Sequence, residues 1–217
     1  MTTYLPTGTS TPPDALPLTV LVADPSEGGS DIYDKSSALH ITVVTRHHVR
    51  TIDDGVWTRP GVYLLLDRAA PDTGNWGVYV GKAPAGVKDR LKTHLREKDH
   101  WYRAVLIRSD TTHGYNSAEV GWLEGRLYDL MYSAEHALLH NGNRPVDETL
   151  PLFTRQALEG AVLPISRVLT LIGHDPSPAN PDPGTGGSSR QRHFGVSLSA
   201  LIDATPLAPG RLVSTNN

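Results

Sequence analysis

Two short apolar runs that share the triplet Gly-Val-Tyr constrain this chain more than any other feature. Gly61-Val62-Tyr63 and Gly77-Val78-Tyr79 are separated by a Pro/Asp/Gly connection and followed by a basic helical pattern. Residues 62–66 and 76–80 have strand length and strand composition. Between them, Pro71-Asp72 and Gly74-Asn75 are turn formers, so the runs are expected to make an antiparallel hairpin. Alternation puts Val62 and Leu64 on one face, Tyr63 and Leu65 on the other, and lets Tyr63 and Tyr79 meet on one face. Gly81 is read as the end of the second strand. Two phenols beside an arginine on the next helix suit phosphodiester cleavage.

That helix is expected from Val87 to about Glu97, with Val87, Leu91 and Leu95 as its buried stripe at i, i+4 and i+8. Arg90 and His94, also four apart, flank the stripe at the rim of the sheet. Lys88, Lys92 and Arg96 form an outer row facing water or phosphates. Residues 101–107 read as a further strand. Asn116-x-x-Glu119 has the form of a capping box opening a helix to about Leu139. Glu124 lies at the margin of that helix's apolar stripe, where an unpartnered carboxylate is costly. Position 128 is Tyr, so no basic i+4 partner is available, and the functional reading of Glu124 is a metal ligand.

Asn141-Gly142-Asn143 closes the helix by cap chemistry. A last helix spans roughly residues 155–172, with Thr154 as N-cap, Gly173 as stop and a bend at Pro164. Upstream, residues 1–16 form a Thr/Ser/Pro-rich mobile leader, and residues 18–23 and 39–44 are strand candidates joined by a loop at 27–31. His47 and His48 are read as surface residues. The expected organisation is an N-terminal leader and strand extension (1–56), a main domain (57–173), a Pro/Gly/Ser linker (174–191) and a short tail (192–217).

Charge decides which partners the main domain suits. The net charge is −3, but residues 82–108 carry eight basic and three acidic side chains, about +5 against about −8 elsewhere. Such a patch is the footprint a phosphate backbone requires; the bland alternative is a solvated helix face. With no cysteine, disulfide frameworks and thiolate zinc sites are excluded. There is no signal-peptide pattern and no apolar run of about eighteen residues. A cytoplasmic protein without a membrane partner is expected.

The two triplets resemble those of the GIY-YIG nuclease superfamily. Gly61-Val62-Tyr63 is similar to the first motif, and Tyr79-Val80-Gly81, extended by Lys82-Ala83, to the second. Arg90 matches the family's helix arginine, His94 its following His or Tyr, and Glu124 its metal-holding glutamate. Asn141 or Asn143 would match its asparagine, with Asn141 favoured because it comes first. The likeness runs from Arg59 to about Pro145. It departs at the loop 83–88, about one residue longer than in repair members, and in a longer interval from Glu124 to the asparagine. In the tail, residues 196–203 and 209–212 resemble the opening of a RAMA-like, restriction-associated module.

The resemblance implies an α/β (α+β) fold with a small central, mostly antiparallel sheet flanked by helices. It implies a metal-dependent DNA endonuclease acting in restriction, defence or repair, on DNA that the tail suggests is modified. Catalytic roles fall to Tyr63, Tyr79, Arg90, His94, Glu124 and Asn141, with Lys82, Lys88, Lys92 and Arg96 binding substrate. Glu124 would hold one Mg²⁺ or Mn²⁺. Either tyrosine, if activated, would orient or deprotonate water, since a free phenol has a pKa of about 10. A non-catalytic DNA-binding module on the same fold is the alternative, and an interaction protein with a basic surface is a third reading. The tail is expected either to be a truncated module or to pack on the domain or on a second copy, which leaves a homodimer open.

Overall fold

Every residue of Gly61–Leu66 is buried, which requires cover on both faces of the sheet and a partner on each side of the strand. The computed structural model describes residues 15–22, 29–146 and 148–179, all within Met1–Asn180, the first of two units. The RAMA-like tail, the linker beyond residue 179 and residues 1–14 of the leader lie outside the described residues.

The strands are β1 (Thr19–Val22), β2 (Gly29–Asp34), β3 (Leu39–Thr45), β4 (Gly61–Leu66), β5 (Trp76–Ala83), β6 (Arg103–Ser109) and β7 (Ala137–Leu139). They form one seven-stranded sheet in the order β1-β2-β3-β6-β4-β5-β7. All neighbours are antiparallel except β5 and β7. The helices are α1 (Asp54–Trp57), α2 (Val87–Glu97), α3 (Ser117–Ser133) and α4 (Leu152–Leu171), with a 3-10 turn at Arg46–Thr51. The architecture is therefore mixed α/β, with a larger sheet than expected.

Alternation sorts the core into two layers. Val62, Leu64, Val78, Val80, Val105 and Ile107 face α3 and α4, meeting Leu123, Leu127, Ile165 and Val168. On the opposite face Tyr63, Leu65, Ala104 and Leu106 meet Val87 and Leu91 of α2, Trp57 and Trp101. The hairpin is as expected, with Tyr63 opposite Gly81 and Leu65 opposite Tyr79. Helix α2 has the expected bounds, and Asn116 and Glu119 form the reciprocal capping box of α3. Pro164 sits inside α4, which begins at Leu152 rather than Arg155, with Pro151 instead of Thr154 at its N-cap. Gly173 follows with φ +84°.

Other expectations are corrected. β5 does not end at Gly81 but runs to Ala83. The expected loop at 27–31 overlaps β2, which starts at Gly29 and is held by cross-strand polar pairing. The Asp31 carboxylate bonds His40 Nε2 at 2.9 Å and accepts from the Thr42 hydroxyl, while the Tyr33 ring stacks on His40. Through β3 and β6 these N-terminal strands join the main sheet. Helix α3 stops at Ser133, not near Leu139, because Ala137–Leu139 is drawn off as β7 along the outer edge of β5. Residues 174–179, expected as linker, dock: His174 is buried, and its Nε2 lies 2.9 Å from the Asp67 carbonyl. Among the described residues, no helix is long and apolar enough to cross a membrane.

Because Ile41 of β3 is buried in the same layer as Leu64, Ile41→Ala should destabilise the whole sheet. A loss of about 2–5 kcal/mol in one cooperative denaturant transition is expected. Separate melting of residues 15–45 would contradict it.

Candidate active site

The outer edge of β5 is covered rung by rung, and the covering changes from main chain to side chains as it approaches the cleft. Trp76 N–H donates to the His136 carbonyl at 2.9 Å, and the Val78 carbonyl accepts from His140 N–H at 2.8 Å. At Val80 the partner becomes the Asn141 side chain, whose Oδ1 accepts from Val80 N–H at 2.9 Å and whose Nδ2 donates to the Val80 carbonyl at 2.8 Å. The next rung is Glu124, whose Oε1 accepts from Lys82 N–H at 3.1 Å. Each N–H or C=O left unpaired here would cost about 1–3 kcal/mol if buried.

This edge borders a cleft of ≈ 580 Å³ lined by Tyr63, Tyr79, Lys82, Arg90, Thr93 and Glu124, among others. Five of the residues singled out from the sequence thus converge there. Tyr63 and Tyr79 share a face as expected, their ring centroids 6.3 Å apart. Tyr63 lies across Gly81, where a Cβ would strike its ring and hydroxyl, so the second motif's glycine makes room for the first motif's tyrosine.

Tyr63 is fully buried, and its hydroxyl meets His94 Nε2 at 2.7 Å. Burial pushes the Tyr63 phenol above its ordinary range, with the Arg90 guanidinium opposing that shift. Burial, together with the positive charges of Arg90 and Lys98, pushes His94 down to about 4. The pair is therefore a neutral phenol against a neutral imidazole at neutral pH. His94 Nδ1 is buried without a hydrogen-bond partner. Lys98, which the sequence reading did not single out, caps the Tyr79 ring with its ammonium 4.1 Å from the centroid. Its place after the helix stripe carries no signal of this.

Glu124 is half-buried, and burial raises its pKa against the pull of Lys82 and Arg90. Lys82 Nζ lies 3.5 Å from Glu124 Oε2 and 3.8 Å from Glu148 Oε1. Glu148 was not singled out; it folds over Gly121 of α3, a small residue that accommodates it. A carboxylate oxygen beside an open cleft is the kind of donor a hard divalent cation takes while keeping most of its waters.

The remaining expected residues diverge. Lys88 does not face phosphates: it is buried, its Nζ donating to the Ile52 carbonyl at 2.5 Å and pairing with Asp54 at 2.6 Å. The first turn of α2 packs against the 50s segment, so the outer row begins only at Lys92. Lys92 is exposed and pairs with Asp89 at 3.0 Å, and Arg96 is exposed. Asn141 spends both ends of its amide on the Val80 backbone, which makes it a strand surrogate that positions β5. Asn143 is exposed.

A second cleft of ≈ 500 Å³ contains Asp31, His40, Thr42 and Trp57. Both nitrogens of its histidine are engaged, Nε2 with Asp31 at 2.9 Å and Nδ1 with Arg108 Nε at 3.0 Å. No family model, curated protein or solved structure matches this chain.

Two outcomes test this geometry. His94 is held at about 4, below the ~6.5 of an unfolded histidine, so between those values the unfolded chain binds more protons. Stability should rise with pH across that window and fall as pH drops from about 6.5 toward 4, by up to about 3 kcal/mol. His94→Gln should lose less stability than wild type between pH 7 and pH 4.5 in denaturant titrations; identical losses would contradict the assignment. Gly81→Ala should cost about 1–3 kcal/mol by forcing Tyr63 off the strand, and unchanged stability would show that the ring has room to spare.

Proposed function

We propose that this protein is a metal-dependent DNA endonuclease of the GIY-YIG type. The observation that carries the reading is the single cleft in which Tyr63, Tyr79, Lys82, Arg90 and Glu124 meet, although they come from β4, β5, α2 and α3. Four of them, Tyr63, Tyr79, Arg90 and Glu124, are among the six catalytic residues that the resemblance implies, and Lys82 is one of its substrate-binding residues.

Hydrolysis of a phosphodiester needs an oriented water, stabilisation of charge on the non-bridging oxygens and help for the leaving oxygen. Arg90, at the mouth of the cleft, offers a planar fork to the non-bridging oxygens. Glu124 would hold one Mg²⁺ or Mn²⁺, which when bound supplies Lewis-acid stabilisation of the phosphate and leaving group. Lys82 has Glu148 as a second carboxylate, so its ammonium has a partner other than Glu124 when that carboxylate is engaged.

Tyr63 would orient water and pass a proton inward, a role supported by the contact of its hydroxyl with His94 Nε2. His94 is a weak base because it is buried and because Arg90 and Lys98 stand beside it. A bound phosphate would add negative charge beside Arg90 and Lys98 and so raise the basicity of the imidazole. Asn141 acts at one remove, by holding the β5 edge straight beneath Tyr79 and Lys82. Lys92 and Arg96 extend the basic surface along the exposed side of α2, where backbone phosphates would make salt-sensitive contacts. A restriction or defence setting and modified DNA as substrate are suggested by the resemblance of the tail, and a repair setting by the Lys82-Ala83 extension.

Mg²⁺- or Mn²⁺-dependent nicking of supercoiled plasmid by the full chain tests the reading, with unmodified and modified DNA as substrates. Glu124→Ala should fall to background, and Arg90→Ala by about 100- to 1,000-fold, with folding unchanged by circular dichroism. Equal nicking by Glu124→Ala and wild type would remove the metal assignment. Salt-sensitive DNA binding without cleavage on any substrate would leave a binding module in place of the enzyme.

A further inference from the structure

At the other end of β5, two imidazoles and a carboxylate converge from three separate connections. Asp67 directly follows β4, His100 lies between α2 and β6, and His140 directly follows β7. One ligand atom from each lies within 4.8 Å of the others. Each imidazole faces its own carboxylate oxygen: His100 Nδ1 is 2.9 Å from Asp67 Oδ1, and His140 Nε2 is 2.7 Å from Asp67 Oδ2.

We propose that Asp67, His100 and His140 form a Zn²⁺ site distinct from the Glu124 position. The donor chemistry selects the metal class. Two imidazole nitrogens with one carboxylate suit a borderline divalent ion, whereas Mg²⁺ and Ca²⁺ prefer oxygen alone. Three protein ligands leave a coordination position for water or an external group. The Asp67, His100 and His140 side chains are 22%, 33% and 34% exposed, so an ion can reach them from solvent.

The backbone holds the three ligands in place before any ion arrives. Asp67 N–H donates to the Gly77 carbonyl at 2.9 Å, and His140 N–H to the Val78 carbonyl at 2.8 Å, so both are registered on adjacent residues of β5. Gly77 forms the floor of the cluster, where a Cβ would strike both the Asp67 carboxylate and His140 Nε2. His100 is anchored next door by the buried Trp101 and by Tyr102 N–H, which donates to the Leu66 carbonyl at 3.0 Å. The two imidazole rings lie 4.2 Å apart between centroids. From the outer side, His174 Nε2 reaches the Asp67 carbonyl at 2.9 Å and fixes the main chain behind the carboxylate.

Gly77 and Gly81 share a face of β5 four residues apart, so this cluster stands about 13 Å along the strand from the Tyr63 end. The site is independent of the nuclease reading. Its metal would clamp the ends of β4 and β7 and the α2–β6 connection to one another.

The test is titration of the full chain, stripped with a chelator and dialysed, with Zn²⁺ against a chromophoric competitor. One equivalent should bind, excess Mg²⁺ should not displace it, and Co²⁺ should give visible absorption bands of a site with nitrogen ligands. His100→Ala and His140→Ala should each weaken Zn²⁺ binding by about 100-fold or more, while Glu124→Gln leaves it unchanged. His100→Ala, at a partly exposed position, keeps the test available if an Asp67 variant fails to fold. No stoichiometric binding, or equal binding by wild type and His100→Ala, would reduce the cluster to a hydrogen-bonded knot and overturn the proposal. Loss of binding in Glu124→Gln alone would move the ion to the cleft and overturn it equally.

Discussion

The free edge of β5 is the constraint on which the rest of this structure turns. A strand whose residues are mostly buried cannot leave its amides and carbonyls unpaired, and β4 satisfies only one side of it. The other side is closed by a three-residue parallel strand, then by the two ends of the Asn141 amide, then by the Glu124 carboxylate. Each substitution of side chain for main chain opens space that a continuous strand would occupy. The cleft exists because the ladder is completed by side chains there, and Glu124 is held in it by the same bond that finishes the sheet.

The opposite side of the cleft is governed by desolvation. Tyr63 and His94 are both neutral groups kept from ionising chiefly by burial, with Arg90 and Lys98 adding to the shift of His94 and Arg90 opposing that of Tyr63. Gly81 contributes by what it lacks, since the ring of Tyr63 occupies the volume of its missing side chain.

Much of this was legible from residue order. The hairpin, the shared face of the two tyrosines, the bounds of α2 and the capping box at Asn116 all follow from local periodicity and turn chemistry, and the structure repeats them. What was not legible depends on partners distant in sequence. β2 carries Gly, Ser and Asp, residues that read as loop until Thr42 stands opposite Asp31 and His40, opposite Tyr33, reaches the same carboxylate diagonally. β7 continues a helical pattern and becomes a strand only because β5 offers an open edge. Lys88 has the spacing of an exposed lysine, yet Ile52 and Asp54 draw it inward. The Asp67–His100–His140 cluster has no sequence signature at all, since its members lie on three unrelated connections.

The rung at Asn141 also has a consequence for how the chain is made. It joins residues 61 positions apart, and the segments it needs leave the ribosome well after the hairpin and α2. Until then β5 presents an apolar strand with one side bare, a template for pairing with the wrong chain. The residues that finish the cleft are therefore also the ones that end the nascent chain's exposure to aggregation.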